Sequence, residues 1–256
     1  CDDFDEATNP GATEVCGDGD DQDCDGSDLA CFSTVVFSNC SATGRFGPSQ
    51  ADCNSAYSGT DLFGAVTVTG GIQQWVVPAT DNYTIQGSGA RGGDGVGLSA
   101  AGNMGALMQG DFQLTAGDVL NIVVGQNGGD GVGNCNCGGG GGGGSFVYTG
   151  SIGGTGLLLA AGGGGGGSGS CQSNGSRSVG NTTENGYQGG NGANDGNTQK
   201  SAPGGQNGQG ASSASEGGDY NGGGGAGWYS TGQSHGCCTG NGGGHWVGGK
   251  YNSGNG

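Results

Sequence analysis

The chain has 256 residues, 71 of them glycine, and a formal net charge of −17. Only 30% of residues are hydrophobic, against roughly 45–50% in ordinary soluble domains. A charge of this sign repels phosphate backbones, which excludes nucleic acid as a partner. The longest apolar run, Leu157–Ala161, is far too short to cross a bilayer as a helix. Four prolines and irregular glycine spacing exclude collagen.

Eleven cysteines point to export and disulfide formation. The composition therefore predicts a secreted or cell-surface chain numbered from a point after any leader. The odd count leaves at least one sulfur for lipid, a free thiol or another chain.

Residues 1–31 hold 11 of the 22 acidic residues and four cysteines, and are read as one acidic module. Within it, Asp21-x-Asp23-x-Asp25-Gly26 opens like a calcium loop: alternate carboxylates converge on a hard cation and the glycine allows a sharp turn. Position 12 of such a loop is Phe32, so the bidentate Glu of an EF-hand is missing. Further oxygens are expected from Asp2, Asp3, Asp5, Glu14, Asp18, Ser27 and Asp28. So many carboxylates repel one another unless a cation neutralises them. A segment this short also needs staples, and the pairs Cys1–Cys16 and Cys24–Cys31 are expected to supply them. Oxygen ligands favour calcium over a transition metal.

Residues 32–60 read as a connecting β segment and 61–256 as a glycine-rich β-sandwich. Expected strands are Ser33–Ser38, Phe63–Thr69, Gln73–Val77, Asn82–Gln86, Gly110–Leu114, Val119–Val124, Ser145–Thr149 and Gly156–Ala161. No helical periodicity is evident. The fold class is therefore all-β, an antiparallel sandwich. Residues 87–256 carry 61 glycines, locally at every third position (89/92/95, 125/128/131, 186/189/192). Three residues per turn is the polyproline II period, and a glycine on each turn lets such helices pack backbone to backbone. Packed polyglycine II helices are the expectation.

The remaining cysteines Cys40, Cys53, Cys135, Cys137, Cys171, Cys237 and Cys238 are also assigned to disulfides, with the connectivity left open. A zinc site from Cys237, Cys238, His235 and His245 is the minor alternative. Asn39, Asn82, Asn174 and Asn181 lie in Asn-x-Ser/Thr sequons and are candidate glycan acceptors. The chain has two histidines, no nucleophile elbow and no phosphate loop, so no enzyme is expected. Trp75, Trp228, Trp246, Tyr220, Tyr229 and Tyr251 could stack on sugars, but packing against glycine surfaces is the stronger expectation.

Two resemblances follow. Residues 1–28, with Pro10-Gly11-Ala12-x-Glu14-x-Cys16 and Asp21-x-Asp23-Cys24-Asp25-Gly26, resemble a short metal-binding repeat of bacterial surface and secreted proteins. It implies an extracellular module and not catalysis. Gln74–Ile85 leading into Gly87–Gly97, then Gly110–Gly128, then Gly138–Val147 with Leu157–Gly167, resemble the glycine-rich domain of the anaplastic lymphoma kinase ectodomain and of bacterial and phage fibre proteins. That resemblance implies a jelly roll with inserted polyglycine II helices, serving ligand binding, adhesion or structure. The family's closing strand is missing from the tail Gly242–Gly256, which predicts an open sheet edge and strand pairing with another copy. The functional expectation is an extracellular structural protein, a calcium-stabilised and disulfide-stapled subunit of a self-assembling surface fibre or matrix. The alternative is an adhesin or receptor-binding module for glycans or proteins. A third reading, ice binding, needs a regular face of small residues such as Thr.

Overall fold

The computed structural model describes residues 8–12, 19–26, 34–44, 46–95, 101–131, 139–152, 154–167 and Trp228. Within them the chain forms one short helix, α1 (Gln50–Ala56), and seven strands. The strands are β1 (Val66–Thr69), β2 (Ile72–Val76), β3 (Asp81–Ser88), β4 (Leu107–Leu114), β5 (Val119–Val123), β6 (Ser145–Thr149) and β7 (Leu157–Ala161). All ladders are antiparallel. Five strands make a sheet in the order β1-β2-β5-β6-β7, and β3 pairs with β4 alone.

Seven of the eight expected strands form. The exception is Ser33–Ser38, of which residues 34–38 enter no ladder. Side chains hold this stretch instead. Phe37 packs edge-on against Tyr57 and Trp75. The Ser38 amide donates to the Tyr57 hydroxyl at 3.0 Å, and Gln73 Nε2 donates to the Ser38 carbonyl at 2.7 Å.

The helix is a second departure from the expected connecting β segment. Its cause is local. Ser49 caps it, accepting from the Asp52 amide, while the Asp52 carboxylate accepts from the Ser49 amide in return. A disulfide from Cys40 to Cys53 then pins the preceding stretch to the helix. Closing a loop of this size contributes about 3 kcal/mol in the chain-entropy account.

The tail Gly242–Gly256, on which the expected open edge rests, lies outside the described residues; among the described residues, the β1 margin of the five-stranded sheet is covered by a side chain. The Gln50 side chain donates to the Val66 carbonyl (2.9 Å) and accepts from the Val68 amide (2.7 Å). One carboxamide thus takes the place of a neighbouring strand's peptide group, which is how a protein blunts an edge. At the other margin β7 lies against β3 and β4.

The sheet is apolar on both faces, which explains the nearly continuous burial of β5 and β6. Toward β3 and β4 it presents Val66, Trp75, Leu120, Ile122, Val147 and Leu159, with Tyr83, Ile85, Met108 and Phe112 opposite. The other face carries Val123, Phe146 and Tyr148, covered by Trp228. β3 and β4 alternate instead, with Asn82, Thr84, Gln86, Gln109, Asp111 and Gln113 outward.

Five glycine-rich segments continue the strands at one end: 89–95 after β3, 101–106 before β4, 124–131 after β5, 139–144 before β6 and 162–167 after β7. They bond backbone to backbone with a three-residue repeat. Gly89 and Gly92 donate to Ala106 and Asn103, and Ala90 and Gly93 to Gly143 and Gly140. Gly128 and Gly131 donate to Arg91 and Asp94, and Gly164 and Gly167 to Ala90 and Gly93. Segment 89–95 thereby bonds to all four others. A Cβ on Gly89, Gly92, Gly128 or Gly142 would collide with a neighbouring carbonyl, whereas Gly129 has open space.

Two predictions follow. Gly142→Ala should cost about 1–3 kcal/mol, the usual penalty of overpacking, while Gly129→Ala should stay within about 0.5 kcal/mol. Urea unfolding of both variants reads the difference, and equal effects would contradict the packing described. Separately, the Ser49 hydroxyl, then the Ser49 amide, hold the exposed Asp52 carboxyl below its ordinary 3.8. A lowered folded-state pKa gives stability that is present above the unfolded value and lost as pH falls through the folded one. The stability gap between wild type and Asp52→Asn should therefore narrow below pH 3.8. A gap that holds at every pH would remove the cap's role.

Candidate metal centre

The acidic loop at residues 19–26 is shaped by its own carboxylates. The Asp25 amide is shared between Asp21 Oδ1 (3.1 Å) and Asp23 Oδ1 (3.0 Å), and the Gly26 amide donates to Asp21 Oδ2 (2.9 Å). Gly26 lies at φ +105°, a conformation that costs glycine little and other residues more. Upstream, Asn9-Pro10-Gly11-Ala12 forms a turn closed by Ala12 N–H to Asn9 O at 2.8 Å, with Gly11 at φ +108°. Proline then glycine at the two central positions is the type II signature.

One carboxylate oxygen from each of Asp21, Asp23 and Asp25 lies within 4.8 Å of the others. Asp21 and Asp23 are half-buried and Asp25 is exposed. Two like charges about 4 Å apart repel by roughly 1 kcal/mol even in bulk water, and by more near a protein surface. Backbone amides occupy only some of the lone pairs, so the oxygens can still converge on a hard cation.

These three are the described members of the expected ligand set. Asp2, Asp3, Asp5, Glu14, Asp18, Ser27 and Asp28 lie outside the described residues. Cys24 is disulfide-bonded, while Cys1, Cys16 and Cys31 lie outside them, as do Cys135, Cys137, Cys171, Cys237, Cys238, His235 and His245.

The two described sequons differ. The Asn39 side chain closes its own turn, donating to Ala42 O and accepting from the Ser41 amide. Asn82 is exposed on the outward face of β3. Asn174 and Asn181 lie outside the described residues. Trp75 is 5% exposed, with Phe37 and Tyr83 edge-on to its ring, so it serves packing and offers no sugar-stacking face. Trp246, Tyr220, Tyr229 and Tyr251 lie outside the described residues.

Residues 1–28 match the Cu-binding_MopE family, described as "Putative metal-binding motif". Over 98 residues the chain is 39% identical to the mouse leukocyte tyrosine kinase receptor, covering 37% of this chain and 11% of the receptor. The chain thus spans about a tenth of the length of that curated relative. A metal-binding motif and an acidic oxygen cluster coincide in the first 28 residues.

Sequence reasoning missed α1, although Ser49-x-x-Asp52 is a legible capping box. It also missed Gln50 at the β1 edge, for which no sequence signal exists.

Titration of a divalent cation monitored by melting temperature checks the cluster. Ligand at 100 times its Kd adds about 2.7 kcal/mol to a fold that binds it. Asp21→Asn and Asp23→Asn should each weaken the affinity by about tenfold or more, near 1.4 kcal/mol. Unchanged affinity in both variants would move the centre elsewhere.

Proposed function

We propose that this is an extracellular structural protein, a calcium-stabilised and disulfide-stapled subunit of a self-assembling surface fibre or matrix. The observation that carries the reading is the glycine bundle. Five segments are held together by backbone hydrogen bonds at every third residue. Its bonding period and close approach support polyglycine II helices, and the two β layers support a jelly-roll arrangement. The Cys40–Cys53 disulfide and the match to a receptor support an extracellular location.

Calcium is the ion proposed, because the three converging side chains are carboxylates and hard oxygens suit it. The family's name mentions copper. Copper would prefer imidazole or thiolate donors, and Cys24 is committed to a disulfide.

The second reading is a binding module for a protein or glycan, favoured by the 39% identity to a receptor over 98 residues.

Electron microscopy of native material with and without EDTA separates the two. Filaments that disperse on chelation support the structural reading with calcium at the joints. Discrete particles in both conditions contradict it and favour the binding module.

A further inference from the structure

The outer face of the five-stranded sheet carries an aromatic hole, and its occupant is named by the structure. Val123, Phe146 and Ala160 are cross-strand partners in one row across β5, β6 and β7. Tyr148 and Leu157 form the next pair, and Ile72 of β2 packs at the margin. Phe146 and Tyr148 are 1% and 2% exposed. Gly144 makes room for the Phe146 ring, whose tip a Cβ there would meet at 2.5 Å. The Trp228 indole lies over this floor, its ring centre 5.2 Å from Phe146 and 5.3 Å from Tyr148, and is 4% exposed.

Three observations set this contact apart from ordinary core packing. Every floor residue belongs to strands β2, β5, β6 and β7, which are laddered to one another without Trp228, so the backbone of the floor does not depend on its occupant. Trp228 belongs to no strand of that sheet and lies 61 positions beyond Gly167. The residues before it are Gly222-Gly223-Gly224-Gly225-Ala226-Gly227, so the indole is the first large side chain after a run of very small ones, with Tyr229 next to it. A buried aromatic side chain set against an apolar floor is the anchor geometry of peptide recognition, where one aromatic side chain carries most of the contact.

We propose that the Val123–Phe146–Tyr148 face is a binding slot for a tryptophan preceded by a run of small residues, and that Trp228 of the same chain occupies it, anchoring the chain at that point to the sandwich. The slot's ligand class is an indole preceded by a run of small residues. The anchor does not depend on the ion in the acidic loop or on assembly into fibres. Burial raises the Tyr148 phenol above its ordinary 10.0, which provides a reporter inside the slot.

The test uses the full chain carrying Trp228→Ala and a synthetic peptide of residues 222–233, which contains no cysteine. The variant should bind this peptide saturably, and at least about tenfold more tightly than the same peptide with alanine at position 228. Its Tyr148 should ionise at lower pH than in the intact protein and return upward when the peptide is added. Trp228→Phe, which keeps an aromatic knob, should bind the peptide more weakly than Trp228→Ala does and serves as host if the alanine variant does not fold. Absence of saturable binding by the folded Trp228→Ala host, or by Trp228→Phe where the alanine variant does not fold, overturns the proposal, as does equal binding of the two peptides. So does a Tyr148 ionisation indifferent to Trp228.

Discussion

Everything in this molecule depends on glycine backbones approaching one another closely enough to hydrogen-bond at every third residue. Segment 89–95 donates to or accepts from four neighbours, at spacings such as Gly89/Gly92 and Ala90/Gly93. Most of its partners' positions tolerate no side chain, because a Cβ on Gly102, Gly105, Gly139 or Gly164 would overlap a carbonyl. Glycine loses more backbone entropy on ordering than any other residue, and that cost is offset here by hydrogen bonds rather than by apolar burial. Buried amides and carbonyls must be paired, and the three-residue repeat is the arrangement that pairs them across several neighbours at once.

The bundle and the sandwich specify each other. Each glycine segment is the continuation of a strand: 89–95 leaves β3, 101–106 enters β4, 124–131 leaves β5, 139–144 enters β6 and 162–167 leaves β7. Strand register therefore fixes which glycine faces which carbonyl. A slip of one residue in a ladder would invert the faces of the strand and would also break the lattice beyond it. The sandwich in turn is held where glycine cannot help. The disulfide Cys40–Cys53 and the fully buried Gln73, bonded to Tyr57 and Ser38, lock the stretch before α1 onto the sheet. Gln50 closes the β1 edge that would otherwise accept a strand.

Strands were legible where β-branched and aromatic residues sit between turn residues. Ser145–Thr149 is recovered to the residue, and Gln73–Val77 to within one. Ser33–Ser38 has the same composition, but its partners are side chains of Tyr57 and Gln73, and composition cannot distinguish a ladder from such a contact. α1 was written in Ser49-x-x-Asp52 and in no apolar periodicity, because a seven-residue helix with Cys53 as its buried residue shows almost none. The threefold glycine spacing announced the backbone repeat, though not which segments meet. Asp21, Asp23 and Asp25 converge as alternation in a tight loop predicts. The position of Trp228 over Phe146 and Tyr148 spans eighty residues or more, and nothing local encodes it.

Amide hydrogen exchange measures the central claim directly. If glycine backbones carry the fold, the amides of Gly93, Gly128, Gly142 and Gly164, each a donor to a neighbouring segment, should be protected to the same degree as the ladder amides of β5 and β6. Exchange of these glycines at the rate of an unstructured peptide, beside protected strands, would show that the sandwich stands alone and that the lattice does not hold.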